Sequence, residues 1–194
     1  MATKSIVIIP TYNELDNVGP MVDAIMSLER TFDVLFIDDS SPDGTADAIR
    51  TLQAKFTDRI HLEKRSEKLG LGTAYIHGFH WALAHDYDFI FEMDCDFSHN
   101  PKDLVPLLER CEADADVAIG SRYATGVNVV NWPLSRVLMS YFASVYVRFI
   151  TGMKIHDATA GFVCYKREVL EKINLNKIKF VGYAFQIEMK YRTY

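Results

Sequence analysis

Short apolar segments that alternate with amphipathic segments are the feature that most restricts the folds open to this chain. The apolar segments are dense in β-branched residues, as buried strands are, and four of them precede residue 121: Ser5–Ile9, Asp33–Ile37, Asp88–Met93 and Asp116–Gly120. Between them, apolar residues recur at helical spacing, as at Val18, Val22 and Ile25. Strands that alternate with helices predict an α/β protein with a mainly parallel central sheet and helices on both of its faces.

The pattern changes after Gly120. Trp132–Thr151 has a helical pattern rich in aromatic residues, and Ala160–Tyr165 is a candidate for one more strand. With 194 residues the chain is long enough to bury a substantial core, and no linker, repeat or low-complexity segment interrupts it. The sequence therefore predicts a single domain over residues 1–194.

Composition and charge argue against several classes of protein. A net charge of −5 argues against a general affinity for nucleic acid. The three cysteines, at positions 95, 111 and 164, lack the spacing of metal ligands and are expected to be reduced thiols in a cytosolic setting. No signal peptide precedes Ser5, and no apolar run reaches the roughly 18 residues that suggest a membrane span. We therefore expect a cytoplasmic protein that is soluble or peripheral at a membrane.

Polar and acidic residues follow three of the predicted strands, in the stretches Pro10–Glu14, Asp38–Thr45 and Asp94–Asp96. In an open parallel α/β sheet, ligands bind beyond the carboxyl ends of the strands. Each stretch alone also has a structural explanation, because Asn13 could cap a helix and Asp43 could form a turn with Gly44. Their coincidence at the ends of neighbouring strands favours a common acidic pocket.

Asp94 and Asp96 are separated by one residue, Cys95, at the tip of a predicted strand. Residues two apart in an extended chain point to the same side, so the two carboxylates can share one cation. Mg²⁺ in proteins is usually held by one or two carboxylates together with substrate phosphates. The pair therefore predicts a site where a divalent cation offsets the charge of a diphosphate. The structural alternative is an Asx-turn followed by a helix N-cap.

Five motifs carry a resemblance to a known family: PTYNE (10–14), DDSSPDGT (38–45), KLGLGTAYIHGF (68–79), MDCDFSH (93–99) and GSRY (120–123). From Ile6 to about Lys190, the chain resembles the family 2 glycosyltransferases of the GT-A nucleotide-diphospho-sugar transferase fold. The D-x-D motif alone occurs in many unrelated sites. The long run from 68 to 79 is more specific, and it resembles the branch of dolichyl- and polyprenyl-phosphate mannose synthases.

The resemblance implies a donor site, a metal and a catalytic set. Contacts with the nucleotide sugar would come from Pro10, Tyr12, Glu14, Ile37, Asp39, Asp94, Cys95, Asp96 and Arg122. Mg²⁺ or Mn²⁺ would be held by Asp94, Asp96 and Ser98, and many relatives have glutamine where this chain has the serine. The catalytic residues would be Asp94, Asp96 and Arg122.

The acceptor's phosphate would, by the same resemblance, be held by Arg122, Arg136 and Ser140. Arg136 and Ser140 are four residues apart in a predicted helix and therefore share one of its faces. A planar, permanently charged guanidinium suits phosphate. From the residues alone, Arg122 could also be a solvated residue at a strand end, and the pair could lie on an ordinary helix surface.

Other parts of the chain follow the family pattern less closely. Asp157–Phe162 is similar to the family motif D-x-x-[S/T]-G-F, with Ala160 at the hydroxyl position. Gln186 and Glu188 match the helix that follows, and either a site role or an exposed helix face fits them. The histidines at 77, 80, 85, 99 and 156 lack ligand spacing and are expected to be structural or exposed. The resemblance implies a further basic, glycine-containing segment after this helix, which would bring positive charge to the substrates.

The implied reaction is the transfer of mannose from GDP-mannose to a dolichyl or other polyprenyl phosphate, with inversion at the anomeric carbon. The lipid acceptor implies peripheral contact with the cytosolic face of a membrane. UDP-glucose is the alternative donor, and a non-catalytic module that binds nucleotide sugars is a further alternative. Nucleotidyltransferases are disfavoured, because they usually carry a basic, glycine-rich loop after the first strand, where this chain has Thr11–Glu14.

Overall fold

A computed structural model describes residues 3–122, 134–182 and 184–194, and for residues 134–138 it describes the backbone alone. Its strands are β1 (Ser5–Thr11), β2 (Asp33–Asp38), β3 (Ile60–Lys64), β4 (Phe89–Glu92), β5 (Val117–Ile119) and β6 (Val163–Lys166). Its α-helices are α1 (Leu15–Met26), α2 (Thr45–Lys55), α3 (Leu71–Ala84), α4 (Leu104–Ala113), α5 (Leu134–Thr151), α6 (Arg167–Lys172) and α7 (Ala184–Thr193). Short 3-10 helices cover Pro101–Asp103 and Leu175–Lys177. No helix in these ranges combines the length and hydropathy that crossing a membrane requires.

The strands form one sheet in the order β3-β2-β1-β4-β6-β5. β1 pairs in parallel with β2 and with β4, and β2 pairs in parallel with β3. The sheet is therefore mainly parallel, as the alternation of segments predicts. β6 is the exception, because it runs antiparallel between β4 and β5. β5 and β6 are joined by a long connection that contains α5, and this connection returns the chain antiparallel to β5 and not as a parallel crossover.

Alternate residues of the central strands supply two cores, one on each face of the sheet. Val7 and Ile9 of β1 pack with residues of α1 and α4, whereas Ile6 and Ile8 pack with residues of α3 and α7. All four side chains are fully buried. A strand buried on both faces carries apolar residues at successive positions, which is why the strand patterns here are continuous rather than alternating. Helices on both faces were predicted, and the two cores confirm them.

The helix α3 approaches β1 closely at Gly78. A Cβ atom built on Gly78 would lie 2.6 Å from Cγ2 of Ile8 and 3.0 Å from its Cδ1. Ile8 is fully buried and β-branched, so its side chain has little freedom to move away. Close packing at this point holds the end of the 68–79 motif against β1, the strand that leads to Tyr12.

Gly78→Ala is therefore expected to destabilise the fold, although alanine is the better helix former. Overpacking of a tight core contact costs roughly 1–3 kcal/mol, which exceeds the roughly 1 kcal/mol gained in helix propensity. The free energy of unfolding from urea denaturation measures the net effect.

A double-mutant cycle with Ile8→Ala tests the cause of the loss. Ile8→Ala removes Cγ2 and should by itself cost roughly 2–5 kcal/mol. In that background the added methyl at position 78 has space, so Gly78→Ala should cost less than in the wild type or should stabilise. Equal costs of Gly78→Ala in the two backgrounds would contradict the contact.

Candidate active site

The carboxyl ends of β2, β1 and β4 are neighbours in the sheet, so the three polar stretches that follow them emerge side by side. A cavity of about 490 Å³ lies beside the end of β4. Five residues predicted to be functional line it, namely Asp94, Asp96, Ser98, Arg122 and Ser140. The rest of its wall comes from α3, α5, the segment 157–161 and the residues in and before α7. The cavity thus brings predicted donor and predicted acceptor residues together.

Asp94 is positioned by a tyrosine from α3. The hydroxyl of Tyr75 donates to Asp94 Oδ1 at 3.1 Å, and the Tyr75 ring is fully buried and stacked on Phe185. Burial and the charge of Asp94 raise the pKa of Tyr75, so its hydroxyl stays protonated and remains a donor. Tyr75 belongs to the 68–79 motif, but its position in a helix gave no sequence signal for a contact with Asp94.

Asp94 and Asp96 form an electrostatically unfavourable pair. Burial, and then the charge of Asp96, raises the pKa of Asp94 to about 6. His99 Nε2 lies 4.0 Å from Asp94 Oδ2, which is too long for a hydrogen bond. Two carboxylates that repel each other in a recess are the donor set that a hard divalent cation prefers.

The residues present fit such a cation only if other ligands complete its shell. No cluster of three histidine, cysteine, aspartate or glutamate side chains suited to a metal occurs in the described part of the chain. Asp94 and Asp96 would therefore hold the ion with help from substrate phosphates and water, which is the usual arrangement for Mg²⁺. Ser98 lines the same cavity, and its role as a third ligand stays a prediction.

Part of the structural alternative for this stretch, an Asx-turn followed by a helix N-cap, is also observed. The backbone N–H of Ser98 donates to Asp96 Oδ1 at 2.9 Å, which is an Asx-turn, and Asn100 Oδ1 accepts from the backbone N–H of Lys102 at 3.2 Å. The turn occupies one oxygen of Asp96, and Asp96 is exposed. The turn therefore orients the carboxylate without burying it.

Arg122 is clamped by the segment after α5. Its Nε and Nη2 donate to the two carboxylate oxygens of Asp157 at 2.8 and 2.6 Å, and Nη2 also donates to Thr159 Oγ1 at 2.7 Å. Burial alone would raise the pKa of Asp157, but the hydrogen bonds and charge of Arg122 hold it below the usual value. Thr159 Oγ1 lies 3.4 Å from Ser140 Oγ, so a threonine joins two predicted acceptor residues.

Arg136 belongs to α5, but its side chain lies outside the described residues. Its predicted contact with the acceptor phosphate therefore stays a prediction. Asp157 and Thr159 were absent from the predicted site. The family-like motif at 157–162 was the one sequence signal for them, since Arg122 and Asp157 are 35 residues apart in the chain.

Five of the residues predicted to contact the nucleotide sugar lie at the ends of β1 and β2, outside the cavity wall: Pro10, Tyr12, Glu14, Ile37 and Asp39. Asp39 forms a bidentate salt bridge with Arg65, whose Nε and Nη2 donate to its two oxygens at 2.6 and 2.7 Å. The ring of Tyr12 lies beneath Lys68, with Nζ 4.1 Å from the ring centroid. These contacts connect the 68–79 motif and the loop before it to the first two strand ends.

Other predicted nucleotide residues differ in what they can offer to a ligand. Ile37 and Cys95 have buried side chains, so only their backbone atoms can contact a ligand. Glu14 accepts from Asn17 Nδ2 at 2.6 Å, and Pro10 is half-buried at the end of β1. Their contact with a nucleotide, like that of Tyr12 and Asp39, stays a prediction.

A buried polar network lies beneath the cavity. Gln186 Nε2 donates to Glu92 Oε2 at 2.5 Å, and Lys190 Nζ donates to Gln186 Oε1 at 3.1 Å and to the carbonyl of Ala160 at 2.6 Å. Burial raises the pKa of Glu92 to about 7 and lowers the pKa of Lys190 to about 8. Of the two readings of Gln186, a site role is favoured, because it also lines the cavity, whereas Glu188 caps the backbone N–H groups of Lys179 and Phe180.

His99 lies in the cavity wall, where its ring stacks on Phe162 with centroids 5.1 Å apart. Burial, and then the charge of Arg122, lowers its pKa to about 4, so the imidazole is neutral near pH 7. The sequence offered no ligand spacing for this histidine; its stacking on Phe162 fits the expected structural role, and its place in the cavity wall had no sequence signal.

Residues 6–174 match the sequence family described as glycosyl transferase family 2. The polyprenol monophosphomannose synthase of Mycolicibacterium smegmatis is 46% identical over 190 residues, which are 98% of this chain and 72% of that protein. The undecaprenyl-phosphate mannosyltransferase of Micrococcus luteus is 43% identical over 190 residues, 98% of this chain and 77% of that protein.

Solved structures share the fold at lower identity. A mannosyltransferase from Pyrobaculum calidifontis, solved with GDP-Man and Mn²⁺, has a TM-score of 0.58 at 21% identity over 90% of this chain. Glucosyl-3-phosphoglycerate synthase from Mycobacterium tuberculosis, solved with Mn²⁺, UDP-glucose and phosphoglyceric acid, has a TM-score of 0.64 at 18% identity over 97% of this chain. This chain spans 47% of the first of these chains and 64% of the second. The predicted GT-A fold is confirmed, and the chain belongs to glycosyl transferase family 2.

Proposed function

We propose that the protein transfers a mannosyl group from GDP-mannose to the phosphate of a polyprenol, of which dolichol is one, to give a β-linked polyprenyl-phosphate mannose. The observation that carries the proposal is the cavity, which has the carboxylates Asp94 and Asp96 on its wall together with Arg122 and Ser140. A transferase for two phosphate-bearing substrates requires two such charged regions within reach of one reacting carbon. The names of the relatives at 46% and 43% identity support the same donor sugar and acceptor class.

In this reaction an acceptor phosphate oxygen forms a bond to the anomeric carbon of the donor. The bond from that carbon to the β-phosphate oxygen breaks, and GDP leaves with the electron pair. Attack from the face opposite to GDP inverts the anomeric carbon. A phosphate monoester is already anionic near neutral pH, so no side chain has to remove a proton. The side chains therefore act mainly by positioning and by charge compensation.

Asp94 and Asp96 would hold Mg²⁺ or Mn²⁺ at the donor diphosphate. When bound, the cation supplies charge stabilisation to the leaving GDP. The protein contributes the rigid orientation of this pair through Tyr75 and through the Asx-turn at Asp96. Ser98 would contribute a hydroxyl oxygen, which is a shorter ligand than the glutamine of many relatives.

Arg122 and Ser140 would hold the acceptor phosphate together with Arg136. The clamp from Asp157 and Thr159 fixes the plane of the Arg122 guanidinium before a substrate arrives. A fixed guanidinium loses less conformational freedom when it binds phosphate than a mobile one does. Arg122 would thereby face the reacting phosphate from one side, and α5 would face it from another.

An exposed apolar surface extends along α5 from the cavity. Phe142, Tyr146 and Phe149 are 62%, 67% and 85% exposed and lie on one helix face, and the exposed Met139 of the same helix lines the cavity. Soluble surfaces rarely gather so many large apolar side chains without a partner. We propose that this face rests on a membrane, so that a polyprenyl chain can remain in lipid while its phosphate enters the cavity.

The first test concerns the donor and its metal. The full-length protein should transfer sugar from GDP-mannose, in preference to UDP-glucose, to a short polyprenyl phosphate in Mn²⁺ or Mg²⁺. Asp96→Ala should remove the metal-dependent part of GDP-mannose binding measured by calorimetry, because one of two cation ligands is lost.

Asp114→Ala is the matched control, since Asp114 is exposed and pairs only with Arg110 among the described residues. It should leave binding unchanged. Unaltered metal dependence in Asp96→Ala would contradict the cation site. Preference for UDP-glucose would move the activity to glucosyl transfer, and binding of GDP-mannose without turnover would indicate a non-catalytic module.

The second test separates acceptor from donor. Arg136→Ala should raise the KM for polyprenyl phosphate and leave GDP-mannose affinity nearly constant. Loss of one charge-assisted phosphate contact costs on the order of 1.5–3 kcal/mol, or roughly ten- to a hundredfold in affinity. Arg148→Ala, near the other end of α5, is the control and should change neither constant. An equal loss of affinity for both substrates would place Arg136 at the donor diphosphate or give it a purely structural role.

The third test concerns the membrane. The double substitution Phe142→Ser/Phe149→Ser should lower the fraction of protein that sediments with phospholipid vesicles by tenfold or more. Burying each phenylalanine is worth roughly 1.5–3 kcal/mol. Transfer to a water-soluble short-chain acceptor should stay at the wild-type rate, because both side chains point away from the protein. Unchanged sedimentation would contradict the proposed membrane contact.

A further inference from the structure

Three polar atoms from separate parts of the chain converge in front of Gly161. A Cβ atom built on Gly161 would lie 3.8 Å from Asp94 Oδ2, 3.8 Å from Gln186 Nε2 and 4.0 Å from His99 Nε2. All four residues line the cavity. We name the space between them the Gly161 recess. A single added methyl would reach van der Waals contact with all three atoms, so the recess has room for a group of about that size.

Each of these atoms keeps hydrogen-bonding capacity for a ligand. Gln186 Nε2 gives one hydrogen to Glu92 and carries a second one. Asp94 accepts from Tyr75 through Oδ1, whereas Oδ2 is the atom that faces the recess. His99 Nε2 is 4.0 Å from Asp94 Oδ2, which is too long for a hydrogen bond between the two. The recess thus offers an acceptor, a donor and an imidazole nitrogen that can act as either.

The recess is also held rigidly. Lys190 donates to Gln186 Oε1 and to the carbonyl of Ala160, and it thereby ties α7 to the residue before Gly161. The His99 ring is stacked on Phe162, the residue after Gly161. A polar recess fixed in this way is arranged for a ligand before the ligand arrives, which lowers the cost of binding.

Resting on the proposed function, we infer that the Gly161 recess binds a free hydroxyl of the donor's hexosyl group and so helps to select the sugar. A hydroxyl both donates and accepts, which matches the three polar atoms. Asp94 belongs both to the recess and to the proposed diphosphate site, and the hexosyl ring is the part of the donor bonded directly to that diphosphate.

Gly161→Ala tests the inference with little risk to the fold. The backbone of Gly161 is outside the left-handed region, and an added Cβ meets its neighbours at ordinary contact distances. The methyl would occupy the recess and exclude a hydroxyl. We expect the affinity for GDP-mannose, measured in Mn²⁺ by calorimetry, to fall about tenfold, while the affinity for GDP stays within twofold. Gly19→Ala, which is remote from the cavity and has no other residue within 4 Å beyond its chain neighbours, is the control.

His99→Phe provides a second, chemically different test. Phenylalanine keeps a ring to stack on Phe162 but removes the nitrogen that faces the recess. The same selective loss of GDP-mannose affinity is expected. His80→Phe, on the exposed surface of α3, is the matched control and should bind both ligands as the wild type does.

Saturation-transfer NMR gives a readout that is independent of affinity. In the wild type, saturation should pass from the protein to the hexosyl protons of GDP-mannose, and in Gly161→Ala it should fall there relative to the guanine proton. Equal loss of GDP and GDP-mannose would overturn the inference, because it would place the cation or its diphosphate in the recess. Unchanged GDP-mannose binding in both variants would overturn it as well.

These outcomes are separate from a failure of the proposed function. If the wild type transfers glucose from UDP-glucose instead, mannosyl transfer is wrong. The recess is then tested by comparing the affinities of the same variants for UDP-glucose and for UDP. A selective loss of affinity for UDP-glucose would still support the inference.

Discussion

Two fully buried charged groups, Glu92 and Lys190, constrain the geometry beneath the cavity. Glu92 ends β4, two residues before Asp94, and Lys190 lies in the last helix. Gln186 bridges them, and Lys190 also holds the carbonyl of Ala160. Removing either charge would leave the other buried without compensation, which is strongly destabilising. The network therefore fixes the relative positions of three segments that approach the cavity: the end of β4, the segment 157–161 and α7.

The charges around the cavity follow from this arrangement. Arg122 is the basic side chain in its wall, and its guanidinium is already bound by Asp157. Burial, and then the charge of Asp96, raises the pKa of Asp94 to about 6, and the charge of Arg122 offsets this only in part. A wall with this surplus of carboxylates would repel a diphosphate by itself. A cation that enters with the donor removes that obstacle, and the same surplus explains how the site would distinguish a metal-bound nucleotide from a free one.

The sequence predicted the regular part of the molecule well, because periodicity reports which faces are buried. The mainly parallel sheet and the neighbouring strand ends are confirmed, and Asp94 and Asp96 lie in the cavity wall, whereas Pro10–Glu14 and Asp38–Thr45 lie outside it. The contacts of Tyr75 and Asp157 were missed, since each depends on how two distant elements pack and not on local spacing. The place of His99 in the cavity wall was likewise not evident from the sequence, because ligand spacing along the chain says nothing about a cavity that several separate segments enclose. The antiparallel direction of β6 was equally hidden in four residues of ordinary strand composition.

The two halves of the cavity, which we propose to bind the donor and the acceptor, have different structural origins. The donor side, with Asp94 and Tyr75, belongs to the alternating strands and helices, where an element cannot shift without disturbing a core on either face of the sheet. The acceptor side, with Ser140 and Thr159, belongs to the stretch after β5, which has one long helix with an exposed apolar face. Arg122 lies at the junction, because it comes three residues after the end of β5 and is held by Asp157 of the other half. Under the proposed function, the nucleotide sugar would bind at the half built on the sheet, and the lipid acceptor would bind at the half whose surface the sheet does not determine.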